Sequence, residues 1–94
     1  MDKGFLTHHE KDNVGVAVSD LKKGESVGGV CLEDNSQLSK VEAVNDVPLG
    51  HKIALVDIGK GDGVIKYGVR IGSASKAIKT GEHVHIHNLK SDRW

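Results

Sequence analysis

The sequence predicts a mainly β domain of short strands and many turns, with at most short helices. Three observations carry this. Valine and isoleucine together number 18 against seven leucines, and β-branched side chains, stiff at χ1, suit a pleated surface better than a helix. The 12 glycines are spread over the whole chain, dividing it into segments too short for helices of more than two or three turns. One pattern also recurs four times: an apolar residue, two variable positions, glycine, two more variable positions, and a β-branched residue. The copies run Leu21 to Val27 around Gly24, Val47 to Ile53 around Gly50, Ile58 to Val64 around Gly61, and Ile78 to Val84 around Gly81. Each reads as an apolar anchor, a turn whose glycine takes a dihedral costly for other residues, and the start of a strand. The copies are unevenly spaced, which excludes a solenoid of fixed period.

In chain order, Val14-Gly-Val-Ala-Val18 is a near-continuous apolar run. It reads as a buried strand, or as a short helix begun by Asp12 or Asn13 as a cap. Glu33-Asp-Asn-Ser36 is a turn, and the alternation from Leu38 to Val44 is that of a strand. Lys52 to Val56, following Pro48 and Gly50, reads as a strand or short helix. His83 to Asn88 alternates imidazole with valine and isoleucine, as a strand does. The whole chain, 1–94, is expected to be one domain, with 1–7 and 89–94 as tails.

Size and charge narrow the function. A chain of 94 residues hides only about 60 to 65% of its unfolded surface, enough for a modest core but not for a core plus an enclosed catalytic chamber. Thirteen basic residues balance thirteen acidic ones, so the electrostatic footprint of a nucleic-acid or anionic-membrane binder is missing. The lone Cys31 cannot form an internal disulfide. The opening Met1-Asp-Lys-Gly4 has no apolar run suited to a signal peptide or a membrane span, and the expected address is the cytoplasm.

The strongest chemical signal is His83-Val-His85-Ile-His87-Asn88, because a strand would put three of the six histidines on one face. Imidazole is a common metal ligand and titrates near neutrality, so such a row can bind a metal or exchange protons. The alternative is a solvated polar face. Adjacent His8 and His9 point to opposite sides of an extended segment and make a poor metal pair. His51 directly follows the corner glycine Gly50, where a side chain projects from the body of the domain. Lys66 and Tyr67, the only tyrosine, stand beside Gly68, where a ligand can approach the backbone closely. Alternatively Lys66 and Tyr67 only cover apolar surface. Gly24 to Gly29 lacks the pattern of a phosphate loop. The ending Lys90-Ser-Asp-Arg93-Trp94 carries two residue types favoured in interfaces, which points to a tail that docks on a partner.

Several of these segments occur together in one family. Asp12-Asn-Val14, Asp46-Val-Pro-Leu-Gly-His-Lys-Ile-Ala54, Val64-Ile-Lys-Tyr-Gly68, Ile71-Gly72 and Gly81-Glu-His-Val-His-Ile-His-Asn88 resemble the N-terminal SAF domain of the altronate and galactarate dehydratases. The resemblance covers His8 to Asn88 and implies a β-clip fold. In the longer dehydratases this domain precedes a large catalytic region, which this chain lacks, so it looks like a stand-alone small subunit needing a large catalytic subunit. The family contains two such split lyases, one cleaving (2R)-3-sulfolactate to pyruvate and sulfite and one dehydrating altronate. The ending looks most like the former.

The resemblance implies β-elimination from a small 2-hydroxy acid with a divalent metal, Fe2+, shared with or held by the large subunit. The residues expected to take part are His51, Lys66 and His85 in catalysis, Tyr67 and Asn88 at the substrate, and His83, His85 and His87 at the metal. Which of them serves as base and which as ligand stays open. So does a purely binding role, in which the domain holds a sugar acid or a metal without catalysis.

Overall fold

Residues 3–91, the part of the chain described by the computed structural model, contain nine strands and no helix. They are β1 (Lys3–Thr7), β2 (Val14–Ala17), β3 (Ser26–Cys31), β4 (Ser36–Glu42), β5 (Lys52–Ala54), β6 (Gly63–Lys66), β7 (Val69–Ala74), β8 (His83–Val84) and β9 (Leu89–Ser91). Six of them form one sheet in the order β4-β3-β1-β2-β5-β8, and β6-β7-β9 form a second. The mainly β prediction holds. No described helix is long and apolar enough to cross a membrane.

Residues 3–7, expected as part of a tail, instead form a strand in the interior of the larger sheet. Phe5 explains why: its ring is wholly buried between Gly15 of β2 and Gly29 of β3, where a Cβ on either glycine would collide with it. Residues 89–91, expected as the other tail, pair with β7. The docking tail proposed for Arg93 and Trp94 lies outside the described residues. Val14 to Ala17 is a strand rather than a capped helix because both of its edges are taken, by β1 and by β5. The polar pair that would have capped a helix is used elsewhere: Asp12 and Asn13 reach across to the β6–β7 hairpin.

The four glycine corners are the skeleton of the fold. Gly24, Gly50, Gly61 and Gly81 all have positive φ, between 84° and 91°, a region in which a Cβ is strained. The corners associate in pairs. Leu21 and Val47 exchange two backbone hydrogen bonds of 2.8 Å, and Ile58 and Ile78 do the same. Within each pair, the corner glycine donates to a buried alanine four residues before the partner's anchor: Gly24 to Ala43, Gly50 to Ala17, Gly61 to Ala74 and Gly81 to Ala54. Asp20, Asp46 and Asp57 tie the pairs further by accepting from the backbone of Leu49, Lys23 and Thr80.

Each pair of corners feeds one half of the core. Leu21, Val27, Val47 and Ile53 pack with Phe5, whereas Ile58, Val64, Ile78 and Val84 pack with Val14. The short pairing of β5 with β8, Lys52 opposite Val84 and Ile53 opposite His83, joins the halves.

Candidate functional site

The β5–β8 junction brings His51 and His83 together. Position 51 is special among the corners. In the other three copies the residue after the corner glycine is acidic, and its carboxylate accepts from the backbone N–H just after the anchor: Glu25 from Lys22, Asp62 from Gly59, Glu82 from Lys79. In the second corner that position is Pro48, the only proline in the chain. Proline has no N–H to satisfy. The acid is therefore dispensable there, and His51 occupies its place with a ring free to turn toward the fourth corner.

His51 Nδ1 lies 2.9 Å from His83 Nε2. Its ring also stacks on His85, with centroids 4.2 Å apart. One nitrogen of each of His51, His83 and His85 lies within 4.8 Å of the others, and all three rings are half-buried. Neutral imidazole is a good ligand for first-row divalent ions, and this donor set fits one. Burial first, then the neighbouring imidazoles His87, His51 and His85, lowers the pKa of His83. Burial first, followed by His51, Lys52 and His87, lowers that of His85. Both therefore keep an uncharged ring, with a lone pair available, further into the acid range than an ordinary histidine.

The trio that the structure brings together differs from the row expected from alternation, His83, His85 and His87. The strand ends at Val84, and residues 85–88 form a turn closed by Leu89 N–H donating to the His85 carbonyl at 2.8 Å. The strand period breaks there, so His87 is exposed, with its ring centroid 5.1 Å from that of His83. His51 rather than His87 completes the trio.

Asn88 explains the turn. It is wholly buried. Its side-chain oxygen accepts from His85 N–H at 2.9 Å, and its amide nitrogen donates to the His83 carbonyl at 2.8 Å and to Glu82 at 3.2 Å. Asn88, expected at the substrate, has both polar side-chain atoms bonded inside the chain.

Lys66 and Tyr67 sit at the tip of the β6–β7 hairpin. Tyr67 and Gly68 both have positive φ, 57° and 73°, as the central residues of a tight two-residue hairpin turn require. Tyrosine is strained in that conformation, and Asp12 holds it there. The Asp12 carboxylate accepts from the N–H groups of Gly68, His8 and His9. Burial works against its charge, but these bonds outweigh burial and keep its pKa below the usual value. The His8 ring stacks on Tyr67 at 4.0 Å, and Lys66 Nζ lies 5.2 Å from the Tyr67 ring centroid.

Lys52 connects the hairpin to the imidazoles. Burial and the charge of Lys66 lower its pKa, and its own charge acts on His85. Sequence reasoning passed over Lys52 and weighed His8 only as half of a metal pair with His9. Lys52 follows His51 directly, and two adjacent cation-forming residues after a turn glycine were a signal available in the sequence. The contact of His8 with Tyr67 spans most of the chain and left no local trace. A hollow of about 250 Å3 lined by Phe5, Leu38, Lys40, Val41, Leu55 and Thr80 shares no residue with this cluster.

Residues 3–92 match the altronate/galactarate dehydratase SAF domain. The chain belongs to this family. Among the relatives of this SAF domain is the (2R)-sulfolactate sulfo-lyase subunit alpha of Chromohalobacter salexigens, 38% identical over 95 residues that cover 100% of both chains. The subunit of the same name from Paracoccus pantotrophus is 45% identical over 69% of this chain and 96% of its own. The altronate dehydratase of Bacillus subtilis is 40% identical over 96% of this chain. The SAF domain spans only 17% of that dehydratase.

Proposed function

We propose that this SAF domain is the small subunit of a two-chain lyase that carries out β-elimination on a 2-hydroxy carboxylate, with (2R)-3-sulfolactate as the substrate. The observation that carries the reading is the end-to-end match to a sulfo-lyase alpha subunit. The open imidazole trio supports it, since three half-buried rings on a small body form part of a reaction centre rather than the whole. In the reaction the C2 proton is removed, the C3–S bond breaks with its electron pair leaving on sulfite, and the resulting enol ketonises to pyruvate.

His51, His83 and His85 would hold a divalent ion, Fe2+ in this reading, between this chain and the large subunit. When bound, the ion supplies a Lewis acid that steadies the charge developing on the substrate carboxylate and hydroxyl. The chain's own residues have separate tasks. Lys52 and Lys66 make the approach electropositive for a dianionic substrate. Tyr67, held in place by Asp12, offers a hydroxyl at the hairpin tip. Lys66, or an imidazole of the trio not engaged as a ligand, serves in proton transfer at C2 or at the leaving group. Asn88 fixes the backbone that carries His83 and His85.

The second reading, a small subunit that dehydrates altronate, rests on the dehydratase relatives. Purified chains and the reconstituted pair, assayed for sulfite from sulfolactate and for dehydration of altronate, decide between them. Sulfite release by the pair alone is the expected result. Turnover by the isolated SAF domain at enzyme-like rates would overturn the two-chain reading.

A further inference from the structure

The four most exposed large apolar side chains of the described residues are Ile86, Leu49, Val69 and Tyr67, at 85, 61, 59 and 57%. Each is a site residue itself, lies within two residues of one, or pairs with one. Ile86 separates His85 from His87, and Leu49 is two residues before His51. Tyr67 follows Lys66, and Val69 is the strand partner of Lys66. Single exposed apolar residues are ordinary on a protein surface, and Val18, Leu32, Val44 and Val56 are less exposed examples. What sets the four apart is that the most exposed apolar side chains coincide with the site residues or their neighbours.

We infer that this apolar rim is the surface on which the large catalytic subunit docks, with Ile86 as its principal contact. The inference rests on the two-chain reading and adds the location and chemistry of the contact. Ile86 is suited to this role by its setting. It lies at the tip of a turn whose ends are pinned by the three hydrogen bonds of buried Asn88, so little further ordering is needed on binding. The histidines on either side travel with it. An apolar pocket on the large subunit that receives Ile86 would bring His85 to that subunit's surface and exclude water from the trio.

The occupant follows from relatives in which the same domain covers only about a sixth of the chain. Two further relatives are named subunit alpha, and in the two-chain reading the part that the dehydratases carry beyond this domain is a separate large subunit.

The test uses the full chain co-expressed with its cognate large subunit, with dissociation constants measured by sedimentation for the purified pair. Ile86→Asp should weaken association by about 100-fold and Ile86→Ala by about 10-fold. Ser39→Asp, which alters an exposed residue of β4 at the opposite edge of the sheet from β8, should bind like the unaltered chain. Thermal melting of each free variant should match that of the unaltered chain, since the side chain is exposed. Equal affinity of a folded Ile86→Asp chain would overturn the inference and leave the two-chain reading intact. If the unaltered chains do not associate, both fall.

Discussion

His51 and His83 face each other nitrogen to nitrogen at 2.9 Å, although they belong to corners that feed different halves of the core. The contact depends on the β5–β8 pairing, in which Ile53 is opposite His83. Strand pairing fixes register to a single residue, so it fixes the separation of the two imidazoles as well.

That geometry predicts which histidines bind a divalent ion. Anaerobic calorimetry with Fe2+, or Zn2+ as a redox-inert substitute, should show one site per full chain. His51→Ala, His83→Ala and His85→Ala should each weaken it by at least about 10-fold, near 1.4 kcal/mol. His87→Ala should change it by less than about 3-fold. A larger loss at His87 than at His51 would restore the ligand set expected from strand alternation.

Pro48 and His51 form a linked pair of departures from the corner pattern. Pro48→Ala should cost about 0.5–1 kcal/mol, through a more flexible unfolded chain and a new N–H without its carboxylate acceptor. The double variant Pro48→Ala with His51→Glu recreates the arrangement seen at Glu25, Asp62 and Glu82. One exposed hydrogen bond, worth about 0.5–1.5 kcal/mol, should return. Denaturant melts should therefore rank the single variant below both the double variant and the unaltered chain. The double variant should no longer bind the ion.

Much of this architecture was legible in the sequence. The four corners are local objects, and each announces itself through an anchor, a glycine and a β-branched residue within seven positions. Their association is not local. Nothing near Leu21 specifies Val47 as its partner, because the paired backbone bonds join residues far apart in the chain. The alternation through His83 to Asn88 misled for a related reason. Period two holds only while a neighbouring strand holds the backbone extended, and β8 loses that support after Val84, where buried Asn88 captures the backbone instead. The hairpin at Tyr67 and Gly68 is not anticipated in the sequence, where Gly68 stands only as backbone open to a ligand, and the tyrosine's positive φ depends on Asp12, far away in sequence.

Asn88→Leu removes three hydrogen bonds from the interior and leaves the His85 N–H and His83 carbonyl without their side-chain partners. A loss of about 2–4 kcal/mol is expected, since unsatisfied buried groups cost about 1–3 kcal/mol each and are only partly compensated. Amide exchange should speed up most at residues 83–89. Faster exchange spread evenly over the whole chain would mean that Asn88 supports the fold generally and does not specifically hold the histidine turn.

The histidines also set a pH dependence. In the folded chain His83 and His85 titrate below the ordinary value of 6.5, whereas in the unfolded chain they titrate near it. Between the two, the unfolded state binds more protons, so stability falls as pH falls below about 6.5. The lowered carboxyl of Asp12 acts in a separate window, its stabilisation being lost only as pH falls below the usual carboxylate range. Urea melts at pH 7.5 and 5.5 should show the unaltered chain weaker at 5.5, with a smaller difference in His85→Gln. An unchanged difference in that variant would remove His85 as a source of the effect.

Lys52 offers a direct test of how the two halves of the site communicate. Its charge is one of the causes that depress His85, behind burial and the neighbouring His51. Lys52→Met keeps a long apolar stem while removing the charge, so the His85 ring should titrate at higher pH, with part of the depression remaining from burial. Proton NMR of the imidazole resonances in the full chain would follow this residue by residue. Because the cause is Coulombic, the gap between the unaltered chain and the variant should narrow in about 1 M salt, where the screening length drops to about 3 Å. A His85 titration that stays in place on loss of Lys52 would separate the lysine from the imidazole trio and leave Lys52 as a support for β5 alone.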